Sequence, residues 1–167
     1  MAHQVTLEHR DPSQRLCVYT DASDMAWSGI ITQVPHVKVH WSYFEQEHSP
    51  LAFLSVRFDA TQLGWSVLEK EAYAVLTNLE RIQWIVAKPD GFDLYTNHNN
   101  LIFLFDPLSV VPDLSATSLH KVLRWAGRLS MYRYTCYHIK GEENVWVDLM
   151  SLWSSKAPTV RRIVRVP

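Results

Sequence analysis

Between Ser66 and Ile82 the chain changes its period, and that change limits the folds open to it. Ser66-Val67-Leu68-Glu69 has the spacing of a capping box, in which the serine hydroxyl and the glutamate carboxylate satisfy each other's orphan backbone amides. Leu68, Ala72, Val75, Leu76, Leu79 and Ile82 then recur at intervals of three and four, the stripe of an amphipathic helix. What precedes it reads differently. Leu16-Cys17-Val18-Tyr19-Thr20 is a β-rich run ending at Asp21, Trp27 to Val34 is a second stopped by Pro35, and Pro50 to Phe58 is a third. Three such runs in quick succession predict an antiparallel meander. His40 to His48 is polar and aromatic without a clear period, a loop with room for an edge strand.

The remainder alternates. Pro89-Asp90-Gly91 is a turn signal, and Phe92 to Asn97 reads as a fourth strand. His98 to Phe105 is a candidate short helix, stopped before Pro107, and Leu108 to Thr117 is a loop. Leu119, Val122, Leu123, Ala126 and Leu129 repeat helically, Tyr132 to Ile139 is a fifth strand, and Lys140-Gly141 turns into a last helix, Asn144 to Trp153. The order β-β-β-α-β-α-α-β-α is an α/β layer arrangement.

The 167 residues make one domain with a real core, and an apolar content of 47% places it in the globular class. Residues 1–15 read as a lead-in, 16–153 as the folded unit, and 154–167 as a basic tail. The tail has Lys156, Arg161, Arg162, Arg165 and no acid, a composition more often solvated linker than binding site. A formal net charge of −1 excludes a polycation, so nucleic-acid binding would need a local patch. Cys17 and Cys136 sit in apolar, strand-like runs and read as free buried thiols, with a disulfide as the alternative. The polar stretch Met1 to Arg15 has no secretory character, and no apolar run approaches the ~20 residues that span a bilayer. The expected setting is intracellular, cytoplasmic or nuclear, with no membrane partner.

Six strings carry chemistry when taken together. They are Thr20-Asp21-Ala22-Ser23-Asp24; Pro50-Leu51-Ala52-Phe53 with Ser55; Glu69-Lys70-Glu71; Thr96 and His98 around Asn97; Arg124-Trp125 with Arg128-Leu129; and Gly141-Glu142-Glu143-Asn144-Val145 leading to Asp148. In this order and spacing the chain, from Leu16 to Trp153, resembles the ribonuclease H domain of gypsy-type LTR retrotransposon polyproteins. The resemblance implies a ribonuclease H-like α/β fold, a mixed five-stranded sheet flanked by helices, with the first and fourth strands parallel neighbours. It also implies an endonuclease that cuts the RNA strand of RNA–DNA hybrids with four carboxylates and two Mg²⁺ (or Mn²⁺) ions. Two such ions about 4 Å apart make the attacking water basic and neutralise the leaving oxyanion. They prefer hard oxygen ligands, and no His- or Cys-rich spacing competes for zinc. By resemblance, Asp21 would bridge both metals and Glu71 would hold the second, with position 97 beside it. Asp148 would help hold the first metal and the nucleophilic water, and Glu69 is the lesser candidate of its pair. The implied partners are an RNA–DNA hybrid or other nucleic acid, and the reverse transcriptase and integrase domains of a parent polyprotein.

Taken singly these residues have plainer readings. Asp21 alone would be an Asx-turn residue, Glu71 a helix-surface acid, Asp148 an acid near a helix N-terminus, and His98 a strand-end surface histidine. Trp125 and Trp146 read as core residues. Arg124, Arg128, Arg133 and Lys140 read as a mixed solvent face.

Asn97 departs from the pattern, which has an aspartate there. An amide keeps an oxygen ligand but drops a negative charge on which two crowded dications depend. The expected loss is several kcal/mol at the transition state, at ~1.4 kcal/mol per tenfold in rate. Asp93 cannot substitute, since four strand residues at ~3.3 Å each put it about 13 Å away. Asn99, where the pattern has a basic residue, and Leu152, where it has Arg, also depart, which favours natural decay or reuse over a laboratory substitution. Two functions stay open at this point. One is a ribonuclease H-type enzyme impaired at Asn97. The other is an inactive tether, or a module adopted by a host to bind nucleic acid or protein.

Overall fold

The computed structural model describes residues 6–42, 45–101 and 115–140. Five strands form one sheet: β1 (Gln14–Ala22), β2 (Ala26–Pro35), β3 (Ser49–Arg57), β4 (Phe92–Thr96) and β5 (Tyr134–His138). Their order is β3-β2-β1-β4-β5. β1 pairs antiparallel with β2, and β2 with β3, while β4 runs parallel to both β1 and β5. The sheet is therefore mixed, and its parallel half begins at the central strand. β1 and β2 are buried along nearly their whole length, which is why both read as continuous apolar runs and not as an alternation. Pro50 fits in β3 because β3 is an edge strand; a register irregularity between Ile31 and Thr32 falls there.

The helices described in full are α1 (Ala60–Leu63), α2 (Val67–Arg81), α3 (Gln83–Val86) and α4 (Ala116–Leu129). The capping box is present as predicted: Ser66 Oγ accepts from the Glu69 amide, and the Glu69 carboxylate accepts from the Ser66 amide at 2.8 Å. The stripe of α2 packs with α4 on one face of the sheet, where Leu68, Ala72, Val75 and Leu79 meet Leu16, Val18, Leu94, Val122 and Trp125. Each such aliphatic side chain contributes ~1.5–3 kcal/mol on burial. The opposite face gathers Cys17, Tyr19, Ile30, Val34 and Ile139. There the register aligns Tyr19, Tyr95 and Tyr137 across three strands, with stacked ring centroids 4.6 and 5.3 Å apart.

Two glycines make close approaches possible. Gly29 leaves the space that the buried Asn78 side chain fills, and the Asn78 amide in turn donates to the Ser28 carbonyl at 3.0 Å. Gly91, at φ +65°, turns the chain into β4 where a Cβ would lie 2.5 Å from the Arg133 carbonyl oxygen.

Several boundaries differ from the sequence reading. β1 continues through Asp21 to Ala22, so Asp21 lies within the strand and not at its end. β3 stops at Arg57, β4 at Thr96, and β5 is trimmed to Tyr134–His138. The helices α1 and α3 were not expected. α1 has its own capping box, with Asp59 and Gln62, and α3 prolongs the apolar stripe past a break at Ile82 through Ile85 and Val86. α4 begins at Ala116, inside the expected loop, where Ser115 caps it. The cysteines are free, Cys17 buried and Cys136 half-buried, and burial pushes the Cys17 thiol up to about 12. The predicted helix Asn144 to Trp153 lies outside the described residues, as does the second half of the candidate helix His98 to Phe105, whose described part is helical at 99–101. No described helix is long and apolar enough to cross a membrane.

Candidate active site

The parallel pairing of β1 and β4 builds the site. Thr20 lies opposite Thr96, so Asp21 and Asn97 follow side by side on adjacent chains. They meet: Asn97 Nδ2 donates a hydrogen bond to Asp21 Oδ1 at 3.0 Å. Asp21 is 4% exposed. The other end of the Asn97 amide, Oδ1, is buried and has no hydrogen-bond partner among the described residues. β5 adds a third chain, where His138, opposite Thr96, places its Nε2 3.2 Å from the Asn97 carbonyl oxygen.

α2 brings in Glu71. The adjacent Lys70 crosses to the β1–β2 turn, where its ammonium donates to the Asp24 carbonyl oxygen at 2.9 Å. That turn is closed by Ser23, whose amide and hydroxyl both bond the Ala26 carbonyl oxygen. Glu71 is 4% exposed, so it is buried and not the helix-surface acid that it reads as when taken alone. The first turns of α2 thus bury three consecutive charged residues, Glu69, Lys70 and Glu71.

Glu69 is otherwise engaged. One carboxylate oxygen closes the capping box, and the other accepts from the Lys121 ammonium of α4 at 2.7 Å. Burial opposes its charge, but the Lys121 and Ser66 bonds outweigh it and hold the carboxyl below its ordinary value. Glu69 is a helix clasp, its carboxylate divided between the Ser66 cap and Lys121. Asp93 is held by Arg15 at 2.5 Å toward the other end of β4, and Asp24 is almost fully exposed. Neither replaces the acid that position 97 lacks. His98 is half-buried, and burial lowers its pKa.

The basic residues read as a mixed solvent face are spread over separate elements. Arg128 pairs with Glu80, Arg124 is exposed on α4, and Arg133 bonds the Pro89 carbonyl beyond the start of β4. Asp148 lies outside the described residues. Lys70 and His138 were not anticipated. Parallel pairing of the fourth and fifth strands would have pointed to His138, whereas nothing local marks Lys70.

Two buried carboxylates and an orphaned amide oxygen are the donor chemistry that a hard divalent cation takes. They fit such an ion in kind but fall short in charge, and among the described residues no group of three or more His, Cys, Asp or Glu gathers in one place.

Comparison with known proteins follows the same lines. The sequence profile described as the RNase H-like domain found in reverse transcriptase matches residues 11–132. The Transposon Tf2-3 polyprotein of Schizosaccharomyces pombe is 24% identical over 146 residues, 87% of this chain and 10% of the relative. The chain thus spans about a tenth of the length of the curated relatives it matches. Among solved structures, the foamy viral protease-reverse transcriptase in complex with dsDNA superposes with a TM-score of 0.57 at 24% identity, covering 81% of this chain and 25% of that one. RNase H1 from the archaeon Halobacterium salinarum NRC-1 gives 0.59 at 14% identity, covering 84% and 96%. LC11-RNase H1 in complex with RNA/DNA hybrid gives 0.57 at 15% identity, covering 81% and 93%. The 3-2-1-4-5 sheet, the pairing of positions 21 and 97 at its centre, and the profile match over most of the chain lead to one assignment: the chain belongs to the family of RNase H-like domains found in reverse transcriptases.

Proposed function

We propose that this domain engages RNA–DNA hybrids at the Asp21–Asn97 end of its sheet and cleaves the RNA strand weakly or not at all. The reading rests on one observation above the others, the hydrogen bond from the Asn97 amide to the Asp21 carboxylate. Asp21 and Glu71, with Asp148, are the residues that would hold two Mg²⁺ or Mn²⁺ ions. Such ions supply a basic water and charge neutralisation at the scissile phosphate. Asp21 anchors the site from the central strand, and Glu71 enters from a helix tied to the neighbouring turn. Asn97 offers a neutral oxygen where the chemistry calls for charge. Residues 16–153 would form the ribonuclease H-like unit of a retroelement polyprotein, with 1–15 leading in from the reverse transcriptase side and the basic tail 154–167 leading toward an integrase. Its setting would be intracellular.

The test is cleavage of a labelled RNA–DNA hybrid in Mg²⁺ and in Mn²⁺ by this chain and by Asn97→Asp. The variant should cut at least two orders of magnitude faster, in line with the loss of several kcal/mol from one missing ligand. Equal, ordinary rates for both proteins would sink the proposal.

The same hydrogen bond favours a second reading, a binding module without turnover. Hybrid affinity rests largely on phosphate and 2′-hydroxyl contacts, which Asn97 does not touch by charge. Fluorescence anisotropy in EDTA should then give similar hybrid affinities for wild type and Asn97→Asp. A failure of both to prefer hybrid over duplex DNA would remove this reading.

A further inference from the structure

A ligand that has lost its charge and a group that occupies the ligand's place are different defects, and the Asn97 amide has the geometry of the second. Its N–H end is turned toward the carboxylate, 3.0 Å from Asp21 Oδ1. Its oxygen end is turned away, buried and without a hydrogen-bond partner among the described residues. A cation approaching Asp21 from this side meets the positive end of the amide dipole. To offer its oxygen instead, the amide must rotate about Cβ–Cγ, which breaks a charge-assisted bond in a buried setting.

We propose that Asn97 is an internal lock on the metal position, its N–H holding the Asp21 carboxylate in place of a divalent cation. The inference rests on the reading of this site as the metal position of the domain, and adds that the amide competes with the ion. Two surroundings favour the locked arrangement. The main chain at Asn97 follows directly on the Thr96–Thr20 pair and has His138 at its carbonyl, which keeps the amide beside Asp21. An aspartate at 97 would set a second negative charge beside Asp21, a pair that needs a cation to be comfortable. The amide makes the pair self-sufficient without one.

This yields an ordering that simple loss of a ligand does not. Alanine at 97 supplies neither oxygen nor N–H. If Asn97 were merely a poor ligand, Asn97→Ala would bind metal as weakly as wild type or more weakly. If Asn97 is a lock, removing it takes one competitor away from Asp21 Oδ1, and affinity rises by on the order of tenfold, the scale of a hydrogen bond to a charged group. Mn²⁺ alone, followed by electron paramagnetic resonance of the free ion, reads this directly on the full chain. The expected order is Asn97→Asp tightest, Asn97→Ala next and wild type weakest. Binding by Asn97→Asp with no gain in Asn97→Ala overturns the lock and leaves the metal-site reading standing. No binding by Asn97→Asp overturns both.

A measurement on the wild-type chain covers the case in which the alanine variant does not fold. In EDTA the Asn97 side-chain NH₂ should give a shifted, exchange-protected pair in ¹H–¹⁵N spectra, and that pair should collapse toward a free position as Mg²⁺ is raised. A pair already free in EDTA, or one unmoved at Mg²⁺ concentrations that load the site, rejects the lock.

Discussion

At the scale of single residues, the fold depends on two side chains that avoid each other by one atom. A Cβ on Gly29 would stand 1.9 Å from Asn78 Oδ1 and 2.4 Å from its Cγ. Asn78 cannot yield cheaply, since its amide holds the Ser28 and Ala74 carbonyls from a fully buried position. Gly29→Ala should therefore cost ~1–3 kcal/mol, the usual range for overpacking, measured as a lowered urea midpoint. Combined with Asn78→Ala, the cost should fall well below the sum of the two single changes. Strict additivity would show that the clash is not the cause. Residue by residue, the site was unevenly legible. Asp21 and Asn97 could be paired in advance because the resemblance implied that their strands are parallel neighbours. The choice of Glu71 over Glu69 came from resemblance alone. What separates them physically is Lys121, fifty-two residues further on, which captures Glu69 and leaves no mark in the local sequence.

At the scale of elements, α2 was the most legible part of the chain, because a capping box and an apolar stripe state the same helix twice. Ser66→Ala should remove ~1 kcal/mol of stability, read from denaturant unfolding. The clasp behind it adds a pH dependence. The Glu69 carboxyl sits below its ordinary value in the folded protein, so its contribution is fully present above the unfolded value and is lost as pH falls through the folded one. Urea midpoints taken from pH 7 down toward pH 3 should fall on the acid side. Lys121→Met should flatten that fall by removing the ammonium that depresses the pKa. An unchanged slope would assign the acid sensitivity elsewhere. The helices α1 and α3, at four residues each, were invisible for a plain reason: a segment of one turn is too short to display a period.

For the whole molecule, the alternation of strand and helix was enough to predict an α/β layer arrangement, while resemblance supplied the mixed sheet and the parallel pairing of its first and fourth strands. Besides its apolar stripe, α2 is tied to the sheet side by polar contacts, Lys70 to Asp24 and Asn78 to Ser28, which hydrophobic pattern cannot foresee. The main chain at position 97 is held by its strand neighbours and by His138, and none of those bonds uses the Asn97 side chain. The frame for an acid is thus kept while the acid is absent. In the genetic code asparagine and aspartate differ by one base, a single A-to-G transition at the first codon position. On the proposed reading, one copying error separates a silent form of the domain from a working one, with no refolding to select for.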